Sequence, residues 1–217
     1  MTSFAYSDAD REAIYRVMAE RRDMRHFSGG QVAPDVLKRL LGAAHAGPSV
    51  GLMQPWRFIR ITNRALREQV HALVEEERQH TAQALGERED EFMRLKVEGV
   101  LECAELLVIA LMPERDRYIF GRRTLPEMDV ASIGCSLQNL WLAARAEGLG
   151  MGWVSLFDPH ALAELLHLPE DAKPLGVLCL GPVPEFYAQP MLIEEGWGQA
   201  RPLHELLHEN HWPSDAT

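Results

Sequence analysis

The sequence predicts a layered fold in which helices and a few short strands surround one sizeable core. Amphipathic helical patterns alternate with short apolar runs along the chain, and no repeat, low-complexity tract or Gly/Ser linker divides it. Of its 217 residues, 47% are hydrophobic and 25% are charged, which is typical of a folded enzyme and not of a disordered chain. We therefore expect a single α/β layered domain, or a large α+β unit, over residues 1–217.

The first two helices carry clear boundary signals. Ser7 can cap the first helix, whose apolar stripe includes Ile14 and Val17. Pro34 marks the start of the second helix, which ends before Gly47. The helical pattern over residues 64–100 predicts one long helix or two, with a weak point at Gly86.

Short apolar runs predict the strands, and the strongest helical pattern lies between the second and third of them. The predicted strands are Phe58–Thr62, Leu106–Met112, Trp153–Leu156 and Leu175–Leu180. The strong helix runs from Asp129 to Glu147, and a short helix is expected near Pro159–Leu166. Residues 113–127 are polar, basic and aromatic, which indicates an exposed loop or lid. The tail from Trp197 to Trp212 is apolar enough to pack on something, such as a second subunit.

Composition excludes several classes of function. The chain has 22 basic and 32 acidic residues, a net charge of −10, which argues against a nucleic-acid-binding face. The longest apolar run is too short to span a membrane, and the amino terminus does not resemble a signal peptide. The three cysteines are far apart, which fits a reducing compartment. We therefore expect a cytoplasmic protein with neither a nucleic-acid nor a membrane partner.

A cluster of charged residues follows the first predicted helix. Arg21, Arg22 and Arg25 lie within five residues, and arginine forks match phosphate oxygens, so the cluster can form an anion-binding site. A solvated basic helix end explains the same spacing equally well. Asp23 lies between these arginines and is either one member of a surface ion pair or, beside a bound cofactor, a general base.

Other familiar site motifs are absent from the sequence. The glycines at 148, 150 and 152 follow a helix and precede a strand, the reverse of the order in a dinucleotide-binding fingerprint, and there is no Walker A motif. Neither Ser49 nor Ser155 lies in a GxSxG motif, so a serine-hydrolase triad is not supported. The nine histidines show no recognisable metal-ligand spacing, and we expect no metal site.

Taken in order, five segments resemble the nitroreductase-like flavoproteins, in particular the BluB family of 5,6-dimethylbenzimidazole synthases. The segments are 21–25 (RRDMR), 46–56 (AGPSVGLMQPW), 120–129 (FGRRTLPEMD), 138–148 (QNLWLAARAEG) and 152–155 (GWVS). The resemblance extends from about Asp8 to Trp212. It implies an α+β nitroreductase-like fold, with a mostly antiparallel central sheet flanked by helices, in an intertwined homodimer with a C-terminal dimerisation arm.

The same resemblance implies an activity. Reduced FMN is the substrate in this family, and molecular oxygen is the co-substrate. The products are 5,6-dimethylbenzimidazole, the lower ligand of vitamin B12, and erythrose 4-phosphate. A flavin reductase would have to supply the reduced FMN, by transient contact or through solution.

The resemblance also assigns roles to individual residues. The flavin-binding positions that it implies are Arg21, Arg22, Asp23, Met24, Arg25, Ser49 and Arg201. The arginines at 21, 22 and 25 would hold the phosphate and ribityl chain, and Arg201 would meet the phosphate. Asp23 matches an essential aspartate that moves a proton at the ribityl carbon joined to the ring, and Ser155 matches a serine near the isoalloxazine. The segment Tyr118–Pro126, here called the lid segment, would close over the flavin and exclude water.

Two other functions share the same flavin contacts. One is an NAD(P)H-dependent nitroreductase or flavin oxidoreductase that retains FMN as a cofactor. The other is a protein that sequesters flavin without catalysis. The position of Asp23, the lid segment and Ser155 favour the synthase, and consumption of the flavin distinguishes it from both alternatives.

Overall fold

A four-stranded antiparallel sheet organises the first of two compact units in the computed structural model, which describes residues 4–212. The boundary between the units falls between Phe186 and Tyr187. The strands within the described residues are β1 (Trp56–Ile61), β2 (Glu105–Leu111), β3 (Gly150–Val154) and β4 (Lys173–Gly181). Their order across the sheet is β1-β2-β4-β3, and each neighbouring pair is antiparallel. The α+β class is therefore confirmed, and the α/β class that the helix–strand alternation suggested is not.

The helices follow the predicted pattern closely. In the first unit they are α1 (Asp8–Glu20), α2 (Pro34–His45), α3 (Arg64–Ala84), α4 (Glu89–Arg94), α5 (Met128–Ala146) and α6 (Pro159–Leu165). The Ser7 hydroxyl caps α1 by accepting a hydrogen bond from the Asp10 N–H at 3.2 Å. The weak point at Gly86 is a real break, because Gly86 has a φ of +56° and separates α3 from α4.

Helices α2 and α5 pack on the sheet to form the main core. Every residue of β2 is buried, which explains why its sequence after Glu105 is a continuous apolar run and does not alternate. The core side chains include Leu40 of α2, Leu137 and Leu140 of α5, and Leu107 of β2. Burial of this apolar surface is the main stabilising contribution to the unit.

Residues 21–25, here called the arginine segment, cover the outer edge of β3. Asp23 forms an isolated parallel bridge with Met151, and the Met24 N–H donates to the Met151 carbonyl at 2.9 Å. The Met24 side chain is fully buried. An edge strand exposes unpaired backbone groups, so this docking both satisfies β3 and fixes the segment that carries the arginine cluster.

The second unit is short and contains little regular structure. It includes α7 (Met191–Glu194) and a 3₁₀ turn at Leu203–Glu205. Several of its large apolar side chains, among them Leu203, Leu207 and Trp212, are exposed. The single-domain prediction extends to residues 1–3 and 213–217, which lie outside the described residues. None of the helices within residues 4–212 combines the length and the apolar character that a membrane-spanning helix requires.

A glycine in β3 makes the docking of the arginine segment possible, which leads to a first prediction. A Cβ atom at Gly152 would lie 2.2 Å from the Met24 carbonyl oxygen, a backbone atom that cannot move independently. Gly152→Ala should therefore lower the free energy of unfolding by about 1–3 kcal/mol. Gly42→Ala, in an open part of α2, should instead raise it by about 0.5–1 kcal/mol. Urea denaturation of both variants checks the contrast, and equal effects would contradict it.

Candidate functional site

The Asp23 carboxylate is held at both oxygens on the edge of β3. Its Oδ1 accepts a hydrogen bond from the Trp153 N–H at 3.1 Å, and its Oδ2 lies 2.6 Å from Nη2 of Arg25. The same Nη2 donates to the Trp153 carbonyl at 3.1 Å. Two backbone groups of one β3 residue and one guanidinium thus fix the orientation of the carboxylate.

Opposing effects act on the protonation of Asp23. Although 41% of its side chain is exposed, the carboxyl faces the strand edge and loses hydration there. This desolvation raises the pKa of the Asp23 carboxyl above its usual value, against the opposing effects of Arg25, the Trp153 N–H and Arg21. A carboxylate with a raised pKa is a stronger base than an ordinary surface aspartate, which suits proton abstraction.

Trp141 of α5 supports the two arginines that precede Asp23. Its indole N–H donates to the carbonyls of Arg22 and Met151, both at 3.0 Å. The Arg21 guanidinium lies over its ring, 4.5 Å from the centroid, a cation–π contact. Stacking uses the face of a guanidinium and leaves its N–H groups directed sideways, where they can bind an anion. Arg22 donates from Nη1 to the Ala19 carbonyl at 2.7 Å, which ties it to the end of α1.

Ser49 and the lid segment meet at a second location in the first unit. The Ser49 hydroxyl accepts a hydrogen bond from the Gln54 N–H at 3.0 Å and so closes the turn that contains the 3₁₀ helix Val50–Leu52. The lid segment packs directly on this turn. A Cβ at Gly51 would lie 2.9 Å from the Phe120 carbonyl oxygen, and a Cβ at Gly121 would lie 2.9 Å from the Val50 side chain.

A buried carboxylate at the start of α5 fixes the base of the lid segment. Asp129 accepts from Nε of Arg122 at 2.8 Å and from Nε of Arg115 at 3.1 Å. Arg115 also donates to the carbonyls of Met112 and Asp171. The chain is thereby anchored on both sides of the lid, while Phe120 at its tip remains 85% exposed.

The remaining predicted site residues are placed as follows. Ser155 is exposed and directly follows β3, two residues beyond the backbone that holds Asp23. Arg201 is exposed and belongs to the second unit. The structure thus brings Asp23, Arg25 and the end of β3 together, and it places Ser49 with the lid. Within the described residues, no group of three or more His, Cys, Asp or Glu side chains could hold a metal ion.

Comparisons with known proteins identify the family. Residues 18–182 match the model of the nitroreductase family. The chain belongs to the nitroreductase family. Among curated members, it is 35% identical to a 5,6-dimethylbenzimidazole synthase from Rhodospirillum rubrum, over 88% of this chain and 92% of that protein. It is 36% identical to a 5,6-dimethylbenzimidazole synthase from Rhodobacter capsulatus, over 91% of this chain and 96% of that protein.

Solved nitroreductase-family structures share the fold at lower identity. An iodotyrosine deiodinase bound to FMN and 3-iodo-L-tyrosine superposes with a TM-score of 0.71 at 18% identity, covering 92% of this chain and 100% of that one. Nitroreductase A from Vibrio parahaemolyticus gives a TM-score of 0.69 at 22% identity, covering 93% of this chain and 77% of that one. These likenesses confirm the nitroreductase fold that the resemblance implied.

Sequence reasoning did not assign roles to Trp141, Gly152 or Asp129. In the sequence, Trp141 is one member of an apolar helix stripe. A buried indole N–H needs a hydrogen-bond acceptor, and this requirement could have indicated that Trp141 contacts another segment. The sequence alone does not show why position 152 requires glycine, because the requirement comes from the Met24 carbonyl that packs against it. Asp129 resembles an ordinary acidic residue in the first turn of a helix, and only its burial shows that it anchors the lid.

The anchoring of the lid segment generates a second prediction. Asp129 and Asp116 both pair with Arg122, but their side chains are 5% and 98% exposed. Asp129→Asn should lower the free energy of unfolding by about 2–3 kcal/mol, because it leaves two arginines without a buried counter-charge, and should speed proteolysis within residues 113–127. Asp116→Asn should change either quantity little. Similar behaviour of the two variants in denaturation and limited trypsin digestion would contradict this assignment.

Proposed function

We propose that this protein is a 5,6-dimethylbenzimidazole synthase that fragments reduced FMN with molecular oxygen, releasing erythrose 4-phosphate. The observation that carries the proposal is its identity of 35–36% to two curated synthases over 88–91% of the chain. The fixed carboxylate of Asp23 at the edge of β3 supports it from the geometry.

The residues at the end of α1 fit the phosphate of a flavin. A guanidinium can bind two phosphate oxygens at once, and the Trp141 ring supports the Arg21 guanidinium, whose Cζ lies 4.5 Å from the ring centroid. Arg21 and Arg22 would hold the phosphate and ribityl chain, with the backbone around Met24 beside them. Ser49 and Arg201 would add contacts from other parts of the chain. FMN in its reduced form supplies the electrons for oxygen and the ring that becomes the product.

Asp23 would accept the proton from the ribityl carbon that is joined to the ring. This carbon is not acidic in water, so its proton requires a base in a fixed position. The Trp153 N–H and Arg25 hold the carboxylate in one orientation, and desolvation makes it a stronger base than a solvated aspartate. Ser155, which directly follows β3, would orient the ring system of the flavin through its hydroxyl.

The lid segment would exclude water from the bound flavin. Its anchors at Asp129 and its packing on the Ser49–Leu52 turn hold its base, while Ile119 and Phe120 are exposed and available to cover a ligand or a second subunit. A closed pocket limits the simple reoxidation that would return the flavin unchanged.

We further propose that the protein acts as a homodimer with FMN at the subunit interface. Exposed apolar side chains occur on the lid segment and, separately, on the second unit, and exposed apolar surface commonly marks an interface. A flavin reductase would supply the reduced FMN.

An NAD(P)H-dependent reductase that retains FMN is the second candidate. An NADPH:FMN oxidoreductase from Vibrio harveyi, solved with NAD⁺, shares the fold with a TM-score of 0.67 at 20% identity, covering 93% of this chain. At that identity the likeness shows a shared fold and not a shared activity. The synthase relatives match at higher sequence identity.

Replacement of the proposed base tests the chemistry. Asp23→Asn keeps the shape of the side chain but removes its basic oxygen, so benzimidazole formation should fall by about 10²–10⁴-fold. FMN affinity should change little, and the reduced flavin should reoxidise intact. The product is measured by chromatography after aerobic mixing, with Asp35→Asn on the exposed face of α2 as the control. Undiminished benzimidazole formation by Asp23→Asn would remove Asp23 from the mechanism.

Truncation tests the proposed dimerisation arm. Deletion from Gly196 onward removes Leu203, Leu207 and Trp212, and should weaken self-association and FMN binding together. Because the deletion also removes Arg201, a full-length Leu203→Glu, Leu207→Glu variant separates the apolar contribution from the charge. Sedimentation velocity measures the dimer and fluorescence quenching measures FMN binding. A truncated chain that remains dimeric and binds FMN normally would refute the arm.

A further inference from the structure

Arg25 is bound into the protein in a way that differs from the other two arginines of the cluster. Its Nη2 lies 2.6 Å from Oδ2 of Asp23 and 3.1 Å from the Trp153 carbonyl oxygen. Its side chain is only 11% exposed. The Trp153 N–H binds the other oxygen of Asp23, so these three residues form a closed ring of hydrogen bonds.

The local backbone is shaped to accommodate this guanidinium. Gly152 lies against it, and a Cβ at that position would lie 2.7 Å from Nη1 of Arg25. Only glycine leaves room for the guanidinium beside β3 at this point. The Nη2 group of Arg25 is thus engaged by Asp23 and Trp153, and breaking these charge-assisted hydrogen bonds would be costly for a nearly buried cation.

Arg21, by contrast, is placed to meet an anion. Its guanidinium carbon lies over the Trp141 ring, 4.5 Å from the ring centroid, and Arg21 is half-buried. The two arginines are therefore suited to different tasks, although they lie four positions apart in the sequence and have identical chemistry.

We propose that Arg25 is a positioning residue for the Asp23 carboxylate and is not a ligand of the flavin phosphate. The inference rests on the proposed function, because it assigns Arg25 to the base that the fragmentation requires. Nη2 of Arg25 links the carboxylate to the Trp153 carbonyl and so determines where the basic oxygen points. The charge of Arg25 also favours the ionised form of the carboxyl in a site where desolvation disfavours it.

The charge balance around Asp23 gives the direction of the expected pH effect. Desolvation raises the pKa of Asp23, and Arg25 is the largest influence that opposes it, followed by the Trp153 N–H and Arg21. The buried Cys179 thiol of β4 is also influenced by the charge of Arg25, which lowers the pKa of that thiol against the effects that raise it. Loss of Arg25 should therefore raise the pKa of Asp23 further. Because a base works only when deprotonated, the acid limb of the activity profile should move to higher pH.

The test compares Arg25→Gln with Arg21→Gln, using FMN and riboflavin as paired probes. For Arg25→Gln we expect the ratio of FMN to riboflavin affinity to stay within about twofold of the wild-type ratio, while benzimidazole yield per flavin at pH 7 falls about tenfold or more. For Arg21→Gln we expect the affinity ratio to fall about tenfold or more, as for loss of a charge-assisted contact. Arg39→Gln, at an exposed ion pair on α2, is the control for loss of an arginine.

The conservative variant separates orientation from charge. Arg25→Lys retains the positive charge but lacks the planar fork, so the acid limb should stay near its wild-type position while the yield remains below wild type. If Arg25→Gln fails to fold, Arg25→Lys still provides the test, because it retains the positive charge at this position. An FMN-to-riboflavin ratio that collapses in the Arg25 variants, with wild-type fragmentation at saturating FMN, would overturn the proposal.

A readout that needs no turnover keeps this inference distinct from the proposed function. The carboxyl ¹³C resonance of Asp23, assigned by its loss in Asp23→Asn, reports the titration directly. In Arg25→Gln the pKa of Asp23 should rise above its wild-type value, and an unchanged pKa would refute the role of Arg25. A wild type that makes no benzimidazole at any pH would instead defeat the proposed function, while the titration and the affinity ratio would still report on Arg25.

Discussion

The docking of the arginine segment on the outer edge of β3 is the contact on which the candidate site depends. The Met24 N–H satisfies the Met151 carbonyl, and the Trp153 N–H is satisfied by the Asp23 side chain in place of a neighbouring strand. An edge strand would otherwise expose these groups to solvent or to another chain. The same hydrogen bonds that complete the sheet therefore place a carboxylate at a fixed position, which links the stability of the fold to the geometry of the site.

Helix α5 connects this edge to the lid. Near its C-terminal end, Trp141 binds the carbonyl of Arg22 and supports Arg21. Near its N-terminal end, Asp129 anchors the lid segment, and the Ser132 hydroxyl accepts from the Val50 N–H at 3.0 Å. A single rigid helix packed on the sheet thus positions the arginines, the Ser49 turn and the lid. A site held by one packed element is less affected by the motion of its loops.

The sequence allowed most elements to be predicted but few of their tertiary contacts. Helical periodicity and capping identified α1 and α2, and the glycine at 86 marked the break between α3 and α4, because these signals are local. Strand order and direction depend on long-range pairing, and only the resemblance indicated an antiparallel sheet. The arginine cluster was visible in the sequence, but the different contacts of Arg21 and Arg25 were not, since they depend on Trp141 and Gly152 from distant parts of the chain.

The central claim is that this nitroreductase-family protein consumes reduced FMN as a substrate. A mass balance for the wild-type protein tests it most directly: excess reduced FMN is mixed with the protein in air, and flavin, 5,6-dimethylbenzimidazole and erythrose 4-phosphate are quantified over time. The account predicts that the flavin lost equals the benzimidazole and the sugar phosphate gained, over more than one turnover. Full recovery of oxidised FMN, with neither product formed, would contradict it.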